Sequence, residues 1–163
     1  MAVQKRAEVF KCSVCGNTVE VVDVGGGTLV CCDKEMELLQ PKGKAEEGKE
    51  KHVPVVRVKG CCVNVSVGTV PHPMETGHYI ANIQLLKDGL VIAEKSLKSN
   101  EEPKATFCLC GGSCDEACSC EQEESCCGSC CSCADGECQC GEIAGKISAR
   151  IYCNLHDLWE SAK

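Results

Sequence analysis

The chain has 163 residues, 19 of them cysteine, and a formal net charge of −7. No stretch approaches the ~20 apolar residues that span a bilayer, and no basic stripe with interleaved aromatics marks a nucleic-acid surface, so membrane and nucleic acid are excluded as expected partners. The first residues, MAVQKRAEVF, lack the apolar core of a signal peptide. An odd and very high cysteine count without such a signal suits thiolates that hold metal in a reducing cytoplasm better than a secreted disulfide framework. The charge is unevenly spread. Eight of the 24 acidic residues fall between Cys108 and Glu142, a window with no Lys, Arg or His, which leaves 16 acidic against 17 basic residues elsewhere.

From the N-terminus, the first unit is expected to span residues 1–38. Short apolar alternation at Val19, Val21 and Leu29 around Gly25-Gly26-Gly27 predicts a small β-hairpin unit. Units of this size need a metal or cross-links, because they cannot bury enough apolar surface. QPKGKAEEGKE reads as a linker. From His52 onward the pattern is of short strands: VVRVKG, VNVSVG, then YIANIQLL and LVIAEKSL on either side of Lys87-Asp88-Gly89, a strong hairpin signal. KISARIY places Ile147, Ala149 and Ile151 on one face. These features predict an all-β chain whose second domain, residues 39–163, is an antiparallel β-sandwich of immunoglobulin-like kind. The window 108–142 has too few apolar residues to pack a core and is expected as an insertion in a sandwich loop, with ATF and KISARIY as hairpin neighbours on either side.

Two constellations carry chemistry. Cys12-x2-Cys15 with Cys31-Cys32 offers four thiolates for a tetrahedral site suited to zinc or a single iron; a structural zinc ribbon is the plain alternative. Adjacent cysteines in place of a second CxxC must splay their side chains. The four histidines are His52, His72, His78 and His156, all at expected strand ends or in loops. Such a residue on its own is more often packed or solvated than a ligand, yet His156 follows Cys153 at a spacing that lets one loop present both donors to one ion.

The segments CSVCGNTVEV, GGGTLVCC, EKHVPVV, VGTVPHPMETGHYI and IYCNLHDLWES, in this order, resemble desulfoferrodoxins, the two-domain superoxide reductases. The resemblance covers nearly everything outside 108–142. It implies a desulforedoxin-like first domain in which Cys12, Cys15, Cys31 and Cys32 hold a distorted FeS4 centre. It further implies a second iron with His52, His72, His78 and His156 in its equatorial plane and Cys153 as axial ligand. The activity implied is one-electron reduction of superoxide to hydrogen peroxide, with no dioxygen formed. Glu50 and Lys51 match the family's charged pair beside the open coordination position. Lys51 is expected to steer the anion, and Glu50 to occupy that position in the ferric state. A rubredoxin-like electron donor and a homodimer are implied in the same way. The competing class is a metal-sequestering protein without turnover, with zinc or nothing at the histidines.

Ala81-Asn82 stands where the family commonly has an acidic residue and a tryptophan, a change that leaves the ligands untouched. Twelve cysteines occupy Cys108 to Cys140, several as Cys-x-Cys or Cys-Cys pairs. Their composition resembles metallothioneins and suggests extra soft metal ions, ahead of an oxidisable thiol store or an iron–sulfur cluster, with a disordered, tolerated insert as the plain alternative. Cys61-Cys62 match no family ligand and read as incidental thiols in a turn.

Overall fold

The computed structural model describes residues 1–46, 48–59, 62–109 and 145–161. Most of the cysteine-rich window therefore lies outside the described residues, as does the soft-metal reading attached to it. Among the described residues no helix is long and apolar enough to cross a membrane.

The N-terminal unit is a three-stranded antiparallel sheet and a separate small hairpin. Strand β1 (Val9–Lys11) lies between β2 (Thr18–Glu20) and β5 (Glu37–Leu38), while β3 (Val30–Cys31) pairs with β4 (Lys34–Glu35). Its core is only Val3, Phe10, Cys12, Val21 and Met36, with Phe10 fully buried. So small a core needs the additional hold that its four thiols could supply through a metal.

A single helical turn, α1 (Lys49–His52), leads into two antiparallel sheets. One has the order β10-β7-β6, from β6 (Pro54–Lys59), β7 (Cys62–Val67) and β10 (Lys104–Cys108). The other has the order β12-β11-β8-β9, from β8 (Ile80–Lys87), β9 (Leu90–Ser96), β11 (Ile147–Cys153) and β12 (Asp157–Glu160). This three-plus-four division is that of an immunoglobulin-like sandwich. Alternation decides which side chains face inward: Val63, Val65 and Val67 of one sheet meet Ile83, Leu85, Ala149 and Ile151 of the other in one buried cluster. The Asp88-Gly89 turn joins Lys87 to Leu90 with φ of 52° and 82°, the two positive values of a type I′ hairpin.

One expectation is overturned. Strands β10 and β11 are not hairpin neighbours. β10 pairs with β7, whereas β11 pairs with β8 and β12, so the cysteine-rich window connects the two sheets. Both segments carry alternating apolar residues, and alternation defines a face without naming the partner strand.

The outward face of β11 is not solvent-facing either. Arg150 is 4% exposed. Its guanidinium donates to the Ala7 carbonyl at 2.7 Å and to Gln84 Oε1 at 2.9 and 2.7 Å, and it lies 3.5 Å from the Glu20 carboxylate. Gln84 Nε2 in turn donates to Glu20 at 2.5 Å and to Glu94 at 2.6 Å. Nearby, Lys11 pairs with Asp157 at 2.5 Å, and the Thr18 hydroxyl donates to the Tyr152 hydroxyl at 3.0 Å. The N-terminal sheet thus docks on the polar outer side of the four-stranded sheet through a buried hydrogen-bonded network. Replacing Arg150 by Met should destabilise the chain by about 2 kcal/mol, below the usual penalty for a broken buried pair because the Glu20 side chain is 28% exposed. Urea unfolding midpoints of the two proteins check this, and an unchanged midpoint would contradict it.

Candidate metal centres

Four ring nitrogens converge at one end of the sandwich. His52 comes from the end of α1, His72 and His78 from the loop between β7 and β8, and His156 from the β11–β12 turn. His72 Nε2 lies 3.1 Å from His52 Nε2, His52 Nε2 3.0 Å from His156 Nδ1, and His156 Nδ1 3.1 Å from His78 Nε2. The ring centroids close the figure, with successive separations of 4.7, 4.6, 4.8 and 4.6 Å and a diagonal of 6.1 Å between His52 and His78. A square with 3.0–3.1 Å sides has a half-diagonal of about 2.1–2.2 Å, the length of a metal–imidazole bond.

Tautomers make the case sharper. The other nitrogen of His52 meets the Gly48 carbonyl at 2.8 Å, and that of His72 meets the Pro73 carbonyl. A carbonyl only accepts, so each Nδ1 carries the proton and each Nε2 presents a bare lone pair. Two bare lone pairs facing each other at 3.1 Å repel unless a cation lies between them. Burial pushes the His72 imidazole down to about 4, with the neighbouring His52 adding to the effect. His52 is lowered as well, again chiefly by burial. Both rings are neutral near pH 7, the form that ligates metal.

The fifth donor is Cys153 Sγ, fully buried, at 3.6 Å from His72 Nε2 and 3.5 Å from His156 Nδ1. Those nitrogens occupy opposite corners, so a sulfur equidistant from both within the square's plane would collide with His52 or His78. It therefore lies out of that plane, to one side of the square. Burial raises the Cys153 thiol above its usual value, and a bound cation would displace its proton. All five donor atoms lie within 4.8 Å of one another.

Residues outside that donor set hold it in place, and sequence reasoning missed them. Trp159 stacks on the His52 ring at 4.7 Å and 16°, and its Nε1–H donates to the His156 carbonyl at 3.0 Å. Asn154 clamps the loop that carries His78, accepting from the Tyr79 amide at 2.8 Å and donating to the Gly77 carbonyl at 2.9 Å. Their only sequence signal is proximity to Cys153 and His156. Glu50 and Lys51 lie in α1 as exposed side chains, and the Glu50 carboxylate is not among the five converging donors. The Glu50 carbonyl accepts from the Thr69 and Val70 amides at 2.7 and 2.9 Å.

The second group joins Cys12, Cys15, Cys31 and Cys32, whose sulfurs also lie within 4.8 Å of one another. Sγ separations of 3.6 Å (Cys15–Cys31) and 3.9 Å (Cys31–Cys32) bracket the edge of about 3.8 Å expected for a tetrahedron with 2.3 Å metal–sulfur bonds. The adjacent pair is splayed by left-handed backbone, with φ of 52° at Cys32 and 58° at Asp33, a conformation unfavourable by roughly 1–2 kcal/mol per residue without glycine. Main-chain amides of Cys15 and Val14 pull the Cys12 thiol down to about 6. Cys31 and Cys32 are pushed up, first through contact with the Cys15 sulfur, and a cation would replace the protons these sulfurs share.

Two donor sets on two β-modules define the class: a chain with a four-thiol candidate centre and a separate candidate centre of four imidazoles and one thiol. Comparison with known proteins agrees. The desulfoferrodoxin N-terminal domain family matches residues 4–39 and the desulfoferrodoxin family matches residues 44–125. A desulfoferrodoxin homolog from Archaeoglobus fulgidus is 42% identical over 154 residues, covering 94% of this chain and 95% of that protein. Desulforedoxin from Megalodesulfovibrio gigas is 55% identical over 29 residues, 18% of this chain and 78% of that one. Among solved structures, the superoxide reductase from Treponema pallidum superposes with a TM-score of 0.57 at 25% identity, covering 98% of this chain and 100% of that chain. The chain belongs to the desulfoferrodoxin family.

Gly68 supplies a test of how the imidazole site is supported. Its φ is +77°, and a Cβ there would stand 2.7 Å from the Glu50 carbonyl oxygen and 2.8 Å from the Lys51 carbonyl carbon. Gly68→Ala must displace the α1 backbone, at a cost of about 1–3 kcal/mol. Metal analysis should show reduced occupancy of the imidazole site with the four-thiol site unchanged. Full occupancy of both would show that α1 does not depend on this contact.

Proposed function

We propose that this protein is a superoxide reductase, converting superoxide with one electron and two protons into hydrogen peroxide and forming no dioxygen. The observation that carries the reading is the square of imidazole nitrogens with a buried sulfur to one side of it. The donor set fits iron, which His52, His72, His78, His156 and Cys153 would hold. Bound there, ferrous iron would supply the electron. A second iron would be held by Cys12, Cys15, Cys31 and Cys32. The chain divides, in this reading, into a desulforedoxin-like unit (1–38) and a reductase domain (39–163).

The protein's own groups have definable tasks. The carbonyls of Gly48 and Pro73 keep His52 and His72 neutral and aimed inward, so a single thiolate is the only anionic donor and the centre stays attractive to an anion. Cys153 closes the buried side, leaving the opposite side as the approach for superoxide. Lys51, exposed on α1, adds positive potential there. Its proximity is felt at His78, which it helps to hold below the ordinary imidazole value after the larger effect of burial. Glu50, beside Lys51, is the carboxylate proposed to approach the open position once the electron has left. A rubredoxin-like donor, a homodimer and a cytoplasmic setting complete the reading, each from family likeness.

Stopped-flow mixing of anaerobically reduced protein with superoxide tests the proposal. One peroxide per superoxide consumed, with no dioxygen, is expected. Dioxygen at half the superoxide consumed would instead mark a dismutase. No consumption above the spontaneous rate, with zinc at the histidines, would leave a metal-sequestering protein. Lys51→Ala should lower the second-order rate about threefold to tenfold and flatten its dependence on ionic strength, as expected for removal of a steering charge. An unchanged salt dependence would remove Lys51 from this role.

A further inference from the structure

We propose that Cys62 and Cys108 form a peroxide-sensitive dithiol that closes to a disulfide across β7 and β10. The inference rests on the reductase reading only for the source of its oxidant, since hydrogen peroxide is the product of that reaction.

Cys62 and Cys108 stand directly opposite each other in antiparallel register, and their sulfurs are 3.5 Å apart. Directly opposed residues of an antiparallel pair have Cα atoms about 4.5 or 5.5 Å apart, and both values fall within the 4.4–6.8 Å that a disulfide spans. Closing the sulfurs to about 2.05 Å therefore needs side-chain rotation and little movement of the backbone. Neither residue is part of the buried cluster between the two sheets. Val63, Val65 and Val67 take the inward positions of β7, which places Cys62 with Asn64 and Ser66 on the outer face. The next rung on that face is also drawn together, the Thr106 hydroxyl donating to Asn64 Oδ1 at 2.8 Å. Cys62 is nevertheless only 4% exposed, while Cys108 is half-buried. Expected in a turn, Cys62 is instead the first residue of β7, opposite Cys108.

The burial difference assigns the order of events. The thiolate of Cys108, the more accessible sulfur, attacks one oxygen of hydrogen peroxide; the O–O bond breaks, and hydroxide leaves and takes a proton to become water. Cys108 is then a sulfenic acid. The Cys62 thiolate attacks that sulfur, the S–S bond forms, and a second water departs. Two thiols lose two electrons and peroxide gains them, giving one disulfide and two waters.

Position keeps this chemistry apart from the imidazole site. Cys62 begins β7, whereas the residue after the strand, Gly68, packs on Glu50. Five residues of strand separate Cys62 from Val67, roughly 17 Å. The pair also sits at the residue from which the cysteine-rich window begins, so a disulfide would clasp β10 at the point where the chain enters that window.

The test is a hydrogen peroxide titration of the full-length, metal-replete protein, followed by alkylation of the remaining thiols, tryptic digestion and mass spectrometry. Peptide 60–87, which contains Cys61 and Cys62, should become linked to peptide 105–146, which contains Cys108. The link should be lost in Cys62→Ser and in Cys108→Ser, and retained in Cys61→Ser, with superoxide consumption unchanged in all three. Three results would each overturn the proposal: a link that survives Cys62→Ser or Cys108→Ser, alkylation of Cys62 throughout the titration, or protection of Cys62 in the reduced protein that ends only on adding a chelator. Peroxide is added directly, so the outcome does not depend on whether the imidazole site turns over superoxide.

Discussion

Lone pairs on His52 Nε2 and His72 Nε2 face each other at 3.1 Å, with no proton available to either atom, and this repulsion is what the rest of the sandwich is arranged to contain. Hydrogen bonds to the Gly48 and Pro73 carbonyls forbid the tautomers that would relieve it. Trp159 fixes the plane of one ring, Asn154 the loop of another, and the tight β11–β12 turn sets His156 within 3.5 Å of the Cys153 sulfur. A cation removes the repulsion and turns the same contacts into ligation. Folding and metal binding are coupled at such a site, since the geometry that disfavours the empty state defines the coordination of the filled one.

Strand β11 is the element through which that site meets the rest of the protein. Its inner side chains, Ala149 and Ile151, belong to the sandwich core, and Cys153 at its end brings its sulfur to the four imidazoles. Its outer side chains, Arg150 and Tyr152, hold the N-terminal unit. Lys11, next to Cys12 in sequence, reaches Asp157, next to His156. Each candidate centre therefore has a covalent neighbour in contact with a neighbour of the other, which ties the two modules together.

Much of this was legible in the sequence, for identifiable reasons. Period-two alternation announced the sandwich strands, and Asp88-Gly89 announced its hairpin because few other residue pairs tolerate two positive φ values. The Cys12-x2-Cys15 and Cys31-Cys32 motifs announced the four-thiol group by their spacing, whereas for the second group spacing offered only Cys153 with His156, and the full set of four histidines rested on the family resemblance. Pairing was less accessible. ATF and KISARIY have the same alternation, and nothing local separates a hairpin partner from a strand of the opposite sheet. The docked role of Arg150 left no signal in the sequence, because a solvated face and a docked polar face share one pattern. Cys62 read as a turn residue because its partner lies 46 positions away and only the β7–β10 register brings them together.

The account stands most directly on what occupies the imidazole square. Anomalous diffraction at the iron edge, from crystals of anaerobically purified protein, would locate it without reliance on activity. The account predicts one iron peak central to His52, His72, His78 and His156 with Cys153 on its axis, and another among Cys12, Cys15, Cys31 and Cys32. A zinc signal between the histidines after growth with ample iron, or no peak there at all, would contradict it.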